Sequence, residues 1–357
     1  MLLDRERMQP EHLRTVVRCF FVVIILFLGG TEMKKNWTWI AGLLLALGLL
    51  GACSDTDPAA EPDTENETQE ASQEAAEEAF PVTVTDASGN EVTIEEQPEA
   101  IVSLIPSNTE IAYALDSGDA IVGVSDHDNY PAETADIEKI GGMEFNVEKI
   151  ISLQPDVVLA HASNSLQEEG LQQLEDAGIQ VVVIENATSF EQVYETIDMI
   201  GQVTGKNEEA DEVVAEMQEG FAEIEERASA IEEGDRKDVL VAVSGLPEIY
   251  TAGNNTFMAE MLELIKANNV AGDQEGFPML SEEEIVNRNP DTVVLTYNYV
   301  ENATEEWLTH AGFSGITAVQ NEAVHEVQSD PVNRSGPRLV EGTLELAKAI
   351  YPEVFAE

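Results

Sequence analysis

The sequence predicts an α/β protein made of two lobes with parallel sheets, bridged by a long α-helix. Three observations carry this. Short, continuous β-branched runs alternate with helix-like stretches, the pattern of parallel strands buried on both faces. The stretch Asn146 to Val158 lines up with Ser281 to Val293 at an offset of 135, which indicates an internal duplication. Between the copies, residues 207–233 contain no Pro and one Gly, and Val214, Met217, Phe221, Ile224, Ala228 and Ile231 fall on one helix face. A helix of about 26 residues at 1.5 Å rise spans roughly 40 Å.

Taken in order, folded sequence starts near Pro81. Val82-Thr83-Val84 and Val92-Thr93-Ile94 alternate around Asp86 to Asn90, which reads as a hairpin. Strands are expected at 100–104, 121–124, 157–160 and 179–184, and in the second half at 239–243 and 292–296. Ser107 with Glu110 reads as a capping box, as does Ser189 with Gln192, and Gly205 is a helix stop. Asn108-Thr109 and Asn255-Thr256 form a second repeat anchor, at an offset of 147. These readings place an N-terminal lobe at 80–188, bridging helices at 189–235 and a C-terminal lobe at 236–357.

The 357 residues carry 70 acidic and 17 basic side chains, a formal charge of −53. Such a surface repels phosphate backbones, so nucleic-acid binding is excluded, and a dense carboxylate shell suits high salt or high pH. Two cysteines build neither a disulfide scaffold nor a four-thiolate zinc site. Met33-Lys34-Lys35-Asn36, an uncharged apolar run from Trp37 to Leu50, and Leu50-Gly51-Ala52-Cys53 follow the order of a secretory signal. Translation is therefore expected to begin at Met33, with 1–32 an upstream extension; a two-segment membrane hairpin is the alternative. Residues 54–79 hold ten acids and no bases, the composition of a disordered tether.

No nucleophile–base pair, phosphate loop or calcium loop assembles from the sequence, so it is not read as an enzyme. In open α/β sheets ligands bind beyond the carboxyl ends of the strands. That rule selects Pro106, Ser107 and Asn108 after one strand, and Asn254, Asn255 and Thr256 as their partners in the second lobe. It also selects His161 after another strand and Tyr297 at the equivalent place. Their side chains are expected to face each other across the cleft, where an imidazole or a phenolate can ligate a metal ion.

Residues 101–110, 121–124, 129–131, 146–150 and 154–158, together with the Cys53 lipobox, resemble the substrate-binding proteins of ABC importers for iron-siderophores, haem and cobalamin. The resemblance covers roughly residues 80–355 and is greatest to the vitamin B12-binding branch. It implies Rossmann-like lobes of the helical-backbone metal-receptor type. It further implies lipidation at Cys53 and a membrane-anchored, monomeric receptor outside the cytoplasmic membrane, serving a permease dimer with ATPase subunits. The implied cargo is a metal chelate, cobalamin ahead of siderophore or haem, with no resident cofactor or bound metal. His127 stands where relatives carry an aromatic contact, and Phe145 partly substitutes for a missing Trp. Asp330 and Arg334 belong to the late cleft loop, and Arg338 is structural. Glu148 and Glu283 are implied to dock on permease arginines, one per lobe. A binding protein for bare Zn²⁺ or Mn²⁺ is the alternative; it requires convergence among His127, His161, His310, His325 and carboxylates. An enzyme or sensor on a duplicated α/β fold is the third reading.

Overall fold

The computed structural model describes residues 80–356. The predicted signal sequence, lipidation site Cys53 and acidic tether lie outside the described residues. An antiparallel hairpin, β1 (Val82–Thr85) and β2 (Glu91–Ile94), opens the fold. The N-terminal sheet follows with β3 (Ile101–Ser103), helix α1 (Pro106–Ala114), β4 (Ile121–Val124) and β5 (Glu138–Lys139). Helix α2 (Val147–Leu153), β6 (Val157–His161), α3 (Glu168–Asp176) and β7 (Gln180–Ile184) complete it. All five strands are parallel, in the order β5-β4-β3-β6-β7. The short β5 is absent from the sequence-based expectation because two residues carry no period.

Helices α4 (Phe190–Thr204) and α5 (Asn207–Ala228) bridge to the second lobe. Ser189 caps α4 as expected, but Gln192 turns its side-chain oxygen to Thr188 rather than back to Ser189. Gly205 ends α4 at φ 72°, a left-handed conformation that glycine adopts without a Cβ clash. The expected long helix stops at Ala228, so α5 has 22 residues and spans roughly 33 Å. Met217, Phe221, Ile224 and Ala228 are buried on its inner face. They join apolar side chains of both lobes into one continuous core along this side of the molecule.

The C-terminal lobe contains β8 (Asp238–Ala242), β9 (Ile249–Tyr250), α6 (Phe257–Leu264), β10 (Asn268–Asn269), β11 (Met279–Leu280), α7 (Glu282–Arg288) and β12 (Thr292–Leu295). Next come α8 (Ala303–Thr309), α9 (Thr317–Gln320), β13 (Val324–Glu326), α10 (Ser329–Asn333), α11 (Leu339–Ile350) and α12 (Pro352–Phe355). Its parallel sheet runs β10-β8-β12-β13. Each sheet grows first to one side of its opening strand and then to the other, so the order reverses between β3 and β6 and between β8 and β12. These are the points where crevices open in such sheets.

The duplication at offset 135 extends to atomic detail. Asn146 caps α2 and Ser281 caps α7; both helices have seven residues and end on a left-handed residue, Gln154 or Asn289. The following Asp binds the neighbouring strand in each lobe: Asp156 Oδ2 accepts from the backbone N–H of Glu99 and Ala100, and Asp291 Oδ2 from that of Asp238. The anchor at offset 147 is not reproduced. Thr256 is the N-cap of α6, whereas Asn108 and Thr109 lie inside α1. The Ser107–Glu110 capping box is likewise absent. Pro106 takes the first helical position after Ile105, which makes no side-chain cap, and Glu110 turns to the other lobe.

Candidate functional site

Apart from His161, the expected ligand-site residues separate into three groups. The first binds α1 to the sheet. Pro106, Ser107 and Asn108 are buried, and Asn108 Nδ2 donates to the carbonyl of Ala160 at 3.0 Å, tying the β3 loop to the end of β6. Asn108 Oδ1 is buried without a partner among the described residues. Gly336 of the C-terminal lobe lies over Ser107 and Ile111, where an added Cβ would meet ordinary van der Waals contact.

The second group is buried, although both residues lie in loops that follow strands. Phe145 belongs to the N-terminal core, its ring set against Gly170. Tyr297 belongs to the C-terminal core and accepts a hydrogen bond from the indole N–H of Trp307 at 3.0 Å; burial raises its phenol above the usual range. The structure thus directs both rings into packing rather than toward the crevice. Sequence position alone did not distinguish Tyr297, which points inward, from Tyr299, which points out.

His161 completes a turn instead of presenting a lone pair. Its Nδ1 accepts from the backbone N–H of Ser163 at 3.1 Å, and Asn164 Oδ1 accepts from its own backbone N–H at 2.9 Å. An imidazole that accepts at Nδ1 carries its proton on Nε2 when neutral, which removes the nitrogen that would ligate a metal. Burial lowers the His161 pKa below the ordinary histidine value, so the neutral form is the native one. Below pH of about 6.5 the unfolded chain takes up a proton that the native site resists. Stability should therefore be fully present above that value and fall on acidification. Comparing acid melts of the wild type with His161→Gln, which keeps an acceptor but does not titrate, checks this. Equal pH slopes would sink the assignment.

The third group meets across the lobes. Arg334, just after α10, donates from Nη1 to Glu110 Oε1 at 2.6 Å and to Asn129 Oδ1 at 2.9 Å. Its Nη2 reaches the His127 carbonyl at 3.2 Å and Asp330 Oδ1 at 3.2 Å. Asn129 Nδ2 closes the ring by donating to Asp330 Oδ2 at 2.8 Å. Arg338 stacks 4.1 Å above the ring of Tyr130 and lies 3.7 Å from Glu110 Oε1. Glu110 is only 3% exposed, its Oε2 has no partner among the described residues, and burial raises its pKa despite Arg334 and Arg338. A cavity of about 580 Å³ flanks this latch, lined by Tyr113, Tyr130, Glu133, Pro337 and the two latch residues Glu110 and Arg338. Arg334, expected to meet ligand, here has acceptors of the protein itself around both terminal nitrogens. His127 contributes through its backbone.

A family model described as "Periplasmic binding protein" matches residues 101–331, which takes in most of both lobes. The chain belongs to the periplasmic binding protein family. It is a substrate-binding protein, not an enzyme. It is 46% identical over 326 residues to the ABC transporter substrate-binding lipoprotein YvrC of Bacillus subtilis (strain 168), covering 91% of this chain and 100% of that one. It is 34% identical to the cobalamin-binding protein of Halobacterium salinarum, over 76% of this chain and 75% of the relative. Among solved structures, a possible iron-binding (periplasmic solute-binding) protein from Staphylococcus epidermidis superposes with a TM-score of 0.65 at 36% identity, covering 72% of this chain and 100% of that chain. The Vibrio cholerae vitamin B12 binding protein BtuF superposes at 0.60 with 23% identity, covering 73% and 99%, and shares the fold.

Burial also singles out exposed apolar side chains, among them Tyr250, Phe277 and Met279, which sequence reasoning did not select. Eight large apolar residues are exposed among the described residues. Six lie in loops or in the short β9 and β11 strands: Tyr130 and Met143 in the N-terminal lobe, and Tyr250, Phe277, Met279 and Tyr299 in the C-terminal lobe. Tyr250 and Met279 are directly opposed in the β9–β11 ribbon, and Phe277 lies in the loop two residues before Met279. The ribbon folds back from the end of β8 through the backbone bond of Val243 to Tyr250. Tyr299 accepts from the Gly245 N–H at 2.9 Å, joining the loops after β8 and β12.

Proposed function

We propose that this protein is the lipid-anchored, extracytoplasmic receptor of an ABC importer and that its cargo is cobalamin. In this reading Cys53 carries the lipid, the acidic tether spaces the monomeric body from the membrane, and the permease dimer with its ATPase subunits receives the ligand. The observation that carries the cargo is the set of exposed aromatic and thioether side chains in the β9–β11 ribbon and the loops of the C-terminal lobe, Tyr250, Phe277, Met279 and Tyr299. Exposed aromatic faces suit a bulky macrocycle held by its faces. Cobalamin arrives with its cobalt already coordinated, so it needs no protein ligand. That fits a site in which His161 caps a turn and Tyr297 is buried against Trp307.

Charge also favours cobalamin over anionic siderophores or the propionates of haem. Asp330 and Glu110 already offset the guanidinium of Arg334, leaving little net positive charge for an anion. The Zn²⁺ or Mn²⁺ alternative finds no support, since among the described residues no three His, Cys, Asp or Glu side chains converge. His310 pairs with Glu282, and His325 is part of β13. The test is spectroscopic. Protein mixed with cobalamin, haem or a ferric siderophore and then desalted should retain the cobalamin spectrum at one equivalent. Retention of haem or siderophore instead overturns the assignment.

Docking falls to Glu148 and Glu283 in this reading. Both are exposed in the first turn of the repeated helices. Three consecutive acids open α7, and two have local partners: Glu282 pairs with His310, and Glu284 caps Ser281. Among the described residues Glu283 and Glu148 make no side-chain hydrogen bond or ion pair, so both carboxylates are available to a partner's bases.

A further inference from the structure

Six of the eight exposed large apolar residues lie in loops or in the β9–β11 ribbon; the other two lie on helices. Ile151 is 39% exposed and Val286 is 38% exposed, and neither belongs to an apolar core cluster. Their numbers differ by 135, the offset of the duplication. Each lies three residues beyond a docking carboxylate: Glu148 to Ile151 on α2, Glu283 to Val286 on α7. Residues three apart on a helix are neighbours on one face, with Cβ atoms about 5–6 Å apart. Each lobe therefore presents the same small surface, an unpaired carboxylate beside a half-exposed aliphatic side chain.

We infer that these two mixed patches form a paired docking surface for a two-fold-symmetric membrane permease that presents, twice, a basic side chain next to an apolar one. The inference rests on the importer reading above and extends it from charge to contact. Repetition identifies the partner. One isolated apolar residue at a surface needs no explanation, but the same pair of residue types at the same helix position in both lobes fits a partner that is itself duplicated. Charge complementarity excludes the bare lipid surface as occupant, because a body this acidic is repelled by anionic headgroups. The chemistry divides the work. The carboxylates steer approach and make binding salt-sensitive, while burial of Ile151 and Val286 slows dissociation and is insensitive to salt.

The experiment titrates full-length protein against its purified permease–ATPase complex in detergent and reads the stimulation of ATP hydrolysis at low and high salt. Ile151→Ser with Val286→Ser should weaken half-maximal stimulation by roughly tenfold while preserving its salt dependence. Each single variant should give a comparable part of that loss, and retained ligand affinity excludes misfolding. Glu148→Gln with Glu283→Gln should weaken stimulation and remove most of the salt dependence. Serine variants that match the wild type, beside glutamine variants that fail, would overturn the apolar contact and leave the docking reading intact. Wild-type behaviour of both pairs would overturn the docking reading as well. Protein carrying Cys53→Ala, and so no lipid, that sediments equally with permease-free anionic vesicles and with vesicles holding the complex would show the patches to be lipid-binding and sink the proposal.

Discussion

Replacing Arg334 by Ala is expected to open the two lobes without unfolding them, and replacing Glu110 by Gln is expected to leave them closed. The two residues form one ion pair, so a simple count of lost contacts predicts similar damage from either change. Burial separates them. The Glu110 side chain is almost wholly enclosed, and loss of Arg334 leaves a carboxylate facing only the more distant Arg338. Stranding a buried charge costs about 3–5 kcal/mol when no relaxation is possible. Here relaxation is possible, because parting the lobes returns Glu110 to water; the opening free energy therefore caps the cost. Glu110→Gln removes the charge whose desolvation raises the pKa, and still offers Arg334 an amide oxygen, with Asp330 as the remaining counter-ion.

The same argument fixes the pH dependence. The pKa of Glu110 is raised in the closed protein relative to its ordinary value near 4.5. Between those two values the closed form binds more protons than the opened or unfolded chain. Its contribution to closure is therefore fully present below the ordinary value and is lost as pH rises through the raised one. Small-angle scattering checks both claims. Arg334→Ala should show a larger radius of gyration than the wild type at neutral pH, with an intact melting transition. Glu110→Gln should stay compact and respond less to pH. An Arg334→Ala protein as compact as the wild type would mean that the latch does not hold the lobes together.

The fold was legible in the sequence wherever apolar period and local chemistry agreed. The strands at 121–124 and 292–295 and the cap at Gly205 are cases in which β-branched runs or a left-handed stop leave one solution. The repeat at offset 135 was legible because Pro-Asp joints bind neighbouring strands in both lobes. The site was less legible, for a physical reason. Beyond Leu295, the last residue of β12, the two-residue alternation of a strand no longer sets which way a side chain points. Tyr297 and Tyr299 differ by two positions and by 64% in exposure (4% against 68%). Glu110 misled for another reason. Ser-x-x-Glu after a strand is a capping signature, but Pro106 begins the helix earlier, and a long-range arginine outcompetes the local N–H. Partners more than two hundred residues apart leave no mark on local pattern.

Removing the aromatic wall should have the largest effect on cargo. Tyr250 lies in the β9–β11 ribbon and Phe277 in the loop that leads into it; both are exposed, and neither is part of the latch. Neither anchors the core, so Tyr250→Ser and Phe277→Ser should fold with melting temperatures close to the wild type. If the ribbon grips a macrocycle by its face, each ring contributes about 1–2 kcal/mol beyond what Ser supplies. The double variant should then bind cobalamin roughly a hundredfold or more weakly. Arg334→Ala provides the contrast. It alters the closing equilibrium, so its effect on affinity reports the cost of closure and not contact with the ring system. Titration followed by the corrinoid absorbance distinguishes these. Undiminished affinity in the Tyr250→Ser, Phe277→Ser double variant would move the ligand off this wall, and the argument from exposed aromatics to cobalamin would fall with it.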